Sequence, residues 1–292
     1  MRVVAGAPPG LLEAINKMRS EARARYGEPL IEVGPAGNSL RATVALPSQE
    51  EELRRLSGEF WPGAAVHILV LATRRARLAL YPDAGPLDVW RRPRQGSADR
   101  GELTTQLLPG DPPAGLLAVR PGRYLVRAPG DALGWVLQTA RFRLGPSPTP
   151  DAGGDGLVGG PSWDPGVVLK TALGLLGREY VWGGTGGPGV DCSGLSWRAY
   201  LAAGVLLPRN SRAQRRVGAK VRLADLQQAD LICAVYRGPK RTSHVALGLG
   251  PDEVIHACSE WHQVRREPLA DFRARYQVLT VRRLPGALPS GR

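Results

Sequence analysis

The chain has 292 residues, 43% of them hydrophobic and 22% charged, a balance that excludes a disordered polymer and leaves room for two or three domains. The formal net charge is +13, but no basic helix interleaved with aromatics and no zinc-finger spacing accompanies it, so nucleic acid is not an expected partner. The three cysteines, Cys192, Cys233 and Cys258, are too few and odd in number for a disulfide framework. No C-x-x-C pair suggests zinc, so free thiols are expected, with no metal and no cofactor.

Met1 to Arg19 carries no apolar leader, because Leu11 and Leu12 run straight into Glu13. With no run of about 18 apolar residues either, neither a signal peptide nor a membrane span is expected. A cytoplasmic protein follows from this reading, or an extracytoplasmic one if the true start lies upstream. Residues Leu12, Ile15, Met18 and Ala22 recur at helical spacing and predict a helix over Leu11 to Tyr26. Strands follow at Leu30 to Val33 and Leu40 to Leu46, split by Gly34-Pro35-Ala36-Gly37-Asn38. Ser48 and Glu51 have capping-box spacing and open a helix to about Phe60, and Val66 to Ala72 reads as a buried strand. Residues 1–77 are thus a small α+β module with no visible chemistry.

Residues 78–144 hold many short strands: Leu78–Leu80, Leu87–Trp90, Leu103–Leu107, Gly115–Val119, Tyr124–Arg127 and Gly134–Leu137. Turn residues cut between them, and the close regular spacing predicts a small barrel or sandwich. Leu108-Pro109-Gly110-Asp111, Tyr124-Leu125-Val126-Arg127 and Leu133-Gly134-Trp135-Val136 together resemble a bacterial SH3-type domain. Residues 145–162, rich in Pro, Gly and Asp, read as a linker.

The third segment, 163–285, carries the chemistry. A helix is predicted over Pro165 to Leu176, and glycines surround Thr185 to Val190. Leu195, Ala199, Ala202 and Ala203 then recur at helical spacing, which puts Cys192 at a helix N-terminus. Unsatisfied backbone N–H groups and the helix dipole there lower a thiol pKa and are able to hold an oxyanion. A thiolate needs a base, and the chain has four histidines. His67 lies in a strand of the first module and reads as structural or solvent-facing. His244 and His256 lie on two strands joined by the Gly250-Pro251-Asp252 turn, which predicts that they sit side by side. One ring then serves the thiol and the other holds the first ring's tautomer. His262 reads as a rim residue, Cys233 as inert core, and Cys258 as sharing the strand face of His256.

The ordered blocks Tyr180-x-Trp182-Gly183-Gly184, Asp191-Cys192-Ser193-Gly194-Leu195, Pro208-Arg209-x-Ser211-x-x-Gln214, Ser243-His244-Val245-Ala246 and Ile255-His256-Ala257 resemble the NlpC/P60 cysteine peptidases over about 120 residues. The resemblance implies a papain-like α+β domain in which a Cys-bearing helix packs on an antiparallel sheet bearing the histidines. It implies a catalytic triad of Cys192, His244 and His256, with Asp191, Ser193, Ser211, Trp182 and Tyr180 lining the substrate groove. It also implies hydrolysis of peptidoglycan stem peptides, commonly between γ-D-glutamyl and a diamino acid. In that case Asp191 pairs with the ammonium of a free N-terminal L-Ala, Tyr180 supports the oxyanion, and the SH3-type neighbour walls off one end of the groove. The chain departs from the pattern at Ala132, where an aromatic commonly stands, which leaves Tyr124 or Glu102 to take that place. A missing leader favours murein recycling, with wall fragments as partners. The readings that compete are a non-catalytic wall-binding scaffold and a Cys-dependent amidase or acyltransferase.

Overall fold

In the computed structural model, residues 7–26, 31–35, 39–44, 47–71, 78–92, 102–148, 158–159, 162–239 and 241–286 are described. The first module runs α1 (Pro9–Tyr26), β1 (Ile31–Pro35), β2 (Ser39–Val44), α2 (Pro47–Phe60) and β3 (Ala65–Val70), the α-β-β-α-β order expected. Its buried helical stripe is Leu11, Ile15, Met18 and Ala22. Leu11 replaces the expected Leu12 because the i, i+4, i+7, i+11 spacing places it squarely on the stripe. α2 already includes Ser48, so that residue does not stand outside the helix as its cap. β3 was expected to be buried throughout, yet it is the sheet edge in the order β1-β2-β3 and alternates between exposed and half-buried up to Val70. An edge strand has one open side, so its apolar run cannot all be covered. His67 on this strand is exposed, and Ala72 lies outside the described residues.

The second segment contains β4 (Leu78–Pro82), β5 (Leu87–Arg92), β6 (Glu102–Leu107), β7 (Ala114–Arg120), β8 (Arg123–Ala128), β9 (Ala132–Leu137) and β10 (Phe142–Pro146). They form one seven-stranded antiparallel sheet in the order β10-β4-β7-β8-β9-β5-β6. β10 runs into the stretch expected to be linker and pairs with β4 from Phe142↔Pro82 to Pro146↔Leu78. One face of the sheet buries Leu80, Leu87, Val89, Leu107 and Val136. Leu125, Leu133 and Trp135 instead join Leu11, Ile15, Leu40 and Leu53 of the first module in a common core, so the first two segments share packed apolar surface across the expected boundary.

The third segment comprises β11 (Val158–Gly159), α3 (Pro165–Leu173), α4 (Cys192–Ala202), β12 (Val205–Leu206), α5 (Ser211–Gln214), β13 (Ala219–Val221), β14 (Leu231–Tyr236), β15 (Ser243–Gly248), β16 (Glu253–Cys258), β17 (Gln263–Pro268), α6 (Leu269–Arg275) and β18 (Tyr276–Arg283). A six-stranded antiparallel sheet, β13-β18-β14-β15-β16-β17, forms its backbone. α4 packs its apolar residues on this sheet, with Leu195, Trp197, Ala199 and Tyr200 buried against Leu231, Cys233, Val245 and Leu247. The segment's two ends are tied where Trp163 donates from its backbone N to Gly286 O at 2.9 Å and from Nε1 to Pro285 O at 2.8 Å. The molecule is therefore mixed α+β, with a Cys-bearing helix on an antiparallel sheet. No described helix is long and apolar enough to cross a membrane.

Candidate active site

α4 begins at Cys192 because Asp191 caps it. Asp191 sits in extended conformation (φ −94°, ψ 177°), and its carboxylate accepts from Gly194 N at 2.6 Å. The tight approach of Gly194 to Gly184 O leaves no room for a side chain, which explains the glycine two residues after the cysteine. Cys192 is buried, 8% exposed, and the backbone N–H groups of Val245 and Ser193 act on its sulfur to favour the thiolate. Val245 follows His244 on β15, so helix and sheet bring thiol and imidazole together.

His244 and His256 lie on the adjacent antiparallel strands β15 and β16. Their rings meet edge to face, with His244 Nε2 and His256 Nδ1 2.8 Å apart. Tyr276 stacks on His244, ring centroids 4.4 Å apart and planes within 17°. The expected side-by-side pair is what the hairpin produces. Cys258 shares the face of His256 and places its sulfur 3.8 Å from Tyr276 Oη. Cys233 is buried on β14, its thiol pushed up to about 12 by burial. His262 is an exposed loop residue with φ 52°, and its carbonyl accepts from Tyr180 N at 2.8 Å.

The electrostatics differ from the expectation of a thiol lowered by the helix. Burial, followed by the nearby Asp191 carboxylate, pushes the Cys192 thiol up to about 12 against the lowering pull of the Val245 and Ser193 N–H groups and Arg209. Burial and then His256 hold His244 well below its ordinary value. Desolvation opposes charge on both partners and outweighs the helix-end contribution, so the resting site holds a neutral thiol beside a neutral imidazole.

Asp191, expected to meet a substrate ammonium, is also engaged by the protein itself. Oδ1 accepts from Gly194 N, Ser193 Oγ and Arg209 Nη1, and Oδ2 from Gly183 N at 2.8 Å and Arg209 Nη2 at 2.9 Å. Its lone pairs and its charge are already engaged by a buried arginine, 4% exposed. Asp191 thus fixes the Gly183 loop and the first turn of α4. Ser193 is buried and donates to Asp191 while accepting from Arg209 Nη1 at 2.9 Å. Ser211 pairs its hydroxyl with that of Ser243 at 2.8 Å, next to His244. Trp182 is 61% exposed, a free indole rather than a core residue, and Tyr180 is half-buried. Burial, then the neighbouring Cys192 and Asp191, raises the Tyr180 phenol, which keeps its O–H a donor.

Residues the sequence reading had not assigned complete the site. Arg209 lies within a recognised block but showed no sign of burial. Beyond the histidines, Glu267 on β17 places Oε1 2.9 Å from His256 Nε2 and is held by Arg275 of α6. The strand Gln263-Val-Arg-Arg-Glu-Pro reads as surface, and only the β16–β17 register, with His256 opposite Arg265, turns Glu267 inward on the same face.

The second segment is clamped to this site. Arg198 of α4 bridges to Asp111 by two bonds of 2.5 and 2.8 Å and donates to Thr185 O at 2.7 Å. Arg209 Nε donates to Thr105 Oγ1 at 2.9 Å, and Thr185 Oγ1 to Gln106 O at 3.0 Å. Gly183, at φ +78°, lies so close to Leu103 that a Cβ there would meet its carbonyl oxygen at 2.9 Å. Of the two residues considered in place of the missing aromatic, Glu102 pairs with Arg91, and Tyr124 packs edge-on against Phe142 within the second segment.

Comparison with known proteins adds the following. Over 103 residues, 35% of this chain, the sequence is 36% identical to a gamma-D-glutamyl-L-lysine dipeptidyl-peptidase of Bacillus cereus. Over 117 residues, 40% of this chain, it is 30% identical to a protein of the same name from Bacillus subtilis. The match spans 31% and 40% of the length of those two relatives. The crystal structure of an NlpC/P60 family protein from Bacillus cereus aligns with a TM-score of 0.38 at 24% identity, covering 70% of this chain and 62% of that one. The family model described as NlpC/P60 family matches residues 177–283, the stretch that holds Cys192, both sheet histidines and Glu267, and this part of the chain is an NlpC/P60 family domain.

Proposed function

We infer that the protein is a cysteine peptidase that hydrolyses peptidoglycan stem peptides at the γ-D-glutamyl–diamino acid bond, acting on peptides with a free N-terminal L-Ala. The observation that carries the chemistry is the buried Cys192 at the capped start of α4, together with the buried His244–His256 pair, whose ring nitrogens are 2.8 Å apart, on the sheet that α4 packs against. The relatives named as γ-D-glutamyl-L-lysine dipeptidyl-peptidases support the choice of bond.

The neutral pair becomes reactive when a carbonyl carbon occupies the site. The Cys192 S–H proton passes to His244, and the sulfur bonds to the carbonyl carbon. The carbonyl oxygen takes the negative charge and is met by N–H groups at the start of α4 and by the Tyr180 hydroxyl. Collapse breaks the C–N bond, and the proton on His244 goes to the leaving amine. Water, deprotonated by His244, then hydrolyses the thioester and returns the proton to sulfur.

Because Asp191 is neutralised by Arg209, the substrate amine is selected by fit at the walled end of the groove more than by a free carboxylate. The clamp through Asp111, Thr105 and Gln106 supports the second segment as that wall. The test is mass-spectrometric digestion of L-Ala-γ-D-Glu-diamino acid peptides by wild type and Cys192→Ala, the variant being inert. Failure of purified wild type to cleave any of several diamino acid peptides would refute this reading and favour a binding role.

A further inference from the structure

His256 is wholly buried, and among the described residues no well-aligned hydrogen bond serves its Nε2. A buried ring N–H needs a compensating partner, and the group that faces it here is the Glu267 carboxylate, whose Oε1 lies 2.9 Å from Nε2. Glu267 is itself 3% exposed. Arg275 Nη2 bonds both its oxygens, and Arg265 Nε lies 3.6 Å from Oε2. A carboxylate so held accepts and does not donate.

That asymmetry has a directional consequence. With an acceptor at Nε2, the neutral His256 ring keeps its proton on Nε2 and leaves Nδ1 bare. Bare Nδ1 accepts, so across the 2.8 Å contact His244 is the donor, with its proton on Nε2. The remaining nitrogen of His244, Nδ1, is then the unprotonated one, ready to take a proton from the thiol. We propose that Glu267 is a positioning residue that sets the tautomers of both histidines in series and so presents His244 as a base to Cys192. The proposal deepens the peptidase reading and rests on it for its kinetic consequence alone. Arg275 and Arg265 face the carboxylate, and Tyr276 stacks on the face of the His244 ring.

Two variants separate tautomer control from simple packing. Glu267→Leu removes the acceptor, and kcat on the tripeptide falls about 100-fold with KM within about twofold, in the range seen when outer partners of a functional histidine are removed. Glu267→Gln keeps an acceptor oxygen and recovers activity to within about fivefold of wild type. A Gln variant as slow as the Leu variant, or a Leu variant changed only in KM, overturns the proposal. The direct reading is 15N NMR of histidine-labelled Cys192→Ala protein, which requires no substrate and no substitution at Glu267. Both His244 and His256 are expected as Nε2–H tautomers, and finding either as Nδ1–H overturns the assignment even if Glu267→Leu does not fold. A wild type that cleaves nothing would defeat the substrate reading while leaving the NMR result to stand or fall independently.

Discussion

Cys192 and His244 stay neutral at rest because each loses more in desolvation than it gains from its neighbours. The sign of the stability effect follows from the two displacements. His244 is lowered below 6.5, so its contribution is present above that value and is lost as pH falls, when the unfolded chain takes a proton the folded one refuses. Cys192 is raised from 9.0 to about 12, so its contribution is present below 9.0 and is lost as pH rises through about 12. Thermal melts across pH are expected to show an acid limb that is shallower in His244→Gln and an alkaline limb that is shallower in Cys192→Ala. Limbs that superimpose on those of wild type would contradict the burial argument. Sequence spacing alone located both residues, but it misjudged the thiol, because the degree of burial is a property of everything packed around α4.

α4 and its N-terminal loop act as one element held by the Asp191–Arg209 pair. Asp191→Asn keeps a capping oxygen but leaves Arg209, 4% exposed, without its counter-charge. Removal of one partner of a buried pair costs about 3–5 kcal/mol, so chemical denaturation should show a loss of that size. Asp191→Asn/Arg209→Met is expected to recover much of it, giving a coupling energy in a double-mutant cycle. Independent, additive losses would mean that the pair does not organise the element. The capping position was legible, because helical spacing put Cys192 at a helix N-terminus and Asp191 directly precedes it. Arg209 was not, since an arginine in a Pro-Arg-Asn turn reads as surface until the fold encloses it. Likewise the strand around His256 was legible as a chain segment but β17 was not, and the register that turns Glu267 toward His256 depends on the hairpin between them.

At the scale of the molecule, the second segment and the NlpC/P60 domain meet through Arg198–Asp111, Thr105–Arg209 and Leu103 against Gly183. Gly183→Ala forces a side chain onto a left-handed backbone (φ +78°) and against Leu103, at a cost of about 1–3 kcal/mol. If the second segment walls the groove, displacing it relaxes selection for a free amine. The ratio of kcat/KM for N-acetylated to free-amine peptides should then rise about tenfold or more in Gly183→Ala and in Asp111→Ala. An unchanged ratio in both variants would show that the clamp has no part in selection. The first module joins the second in one core through Leu125, Leu133 and Trp135, so truncation near residue 77 is expected to expose those side chains and lower solubility, as read by light scattering of the shortened chain.

By itself the sequence determined the element order of the first module, six of the seven described strands of the second segment and the ordered blocks that contain Cys192, His244 and His256, because periodicity, turn residues and motif spacing are local properties of the chain. Only the tertiary structure decided that the thiol rests neutral, that Asp191 is spent on Arg209, that Glu267 backs the histidine pair and that the second segment is clamped to the domain. Those outcomes depend on burial and on contacts between residues as far apart as Thr105 and Arg209, and such separations leave no trace in local pattern.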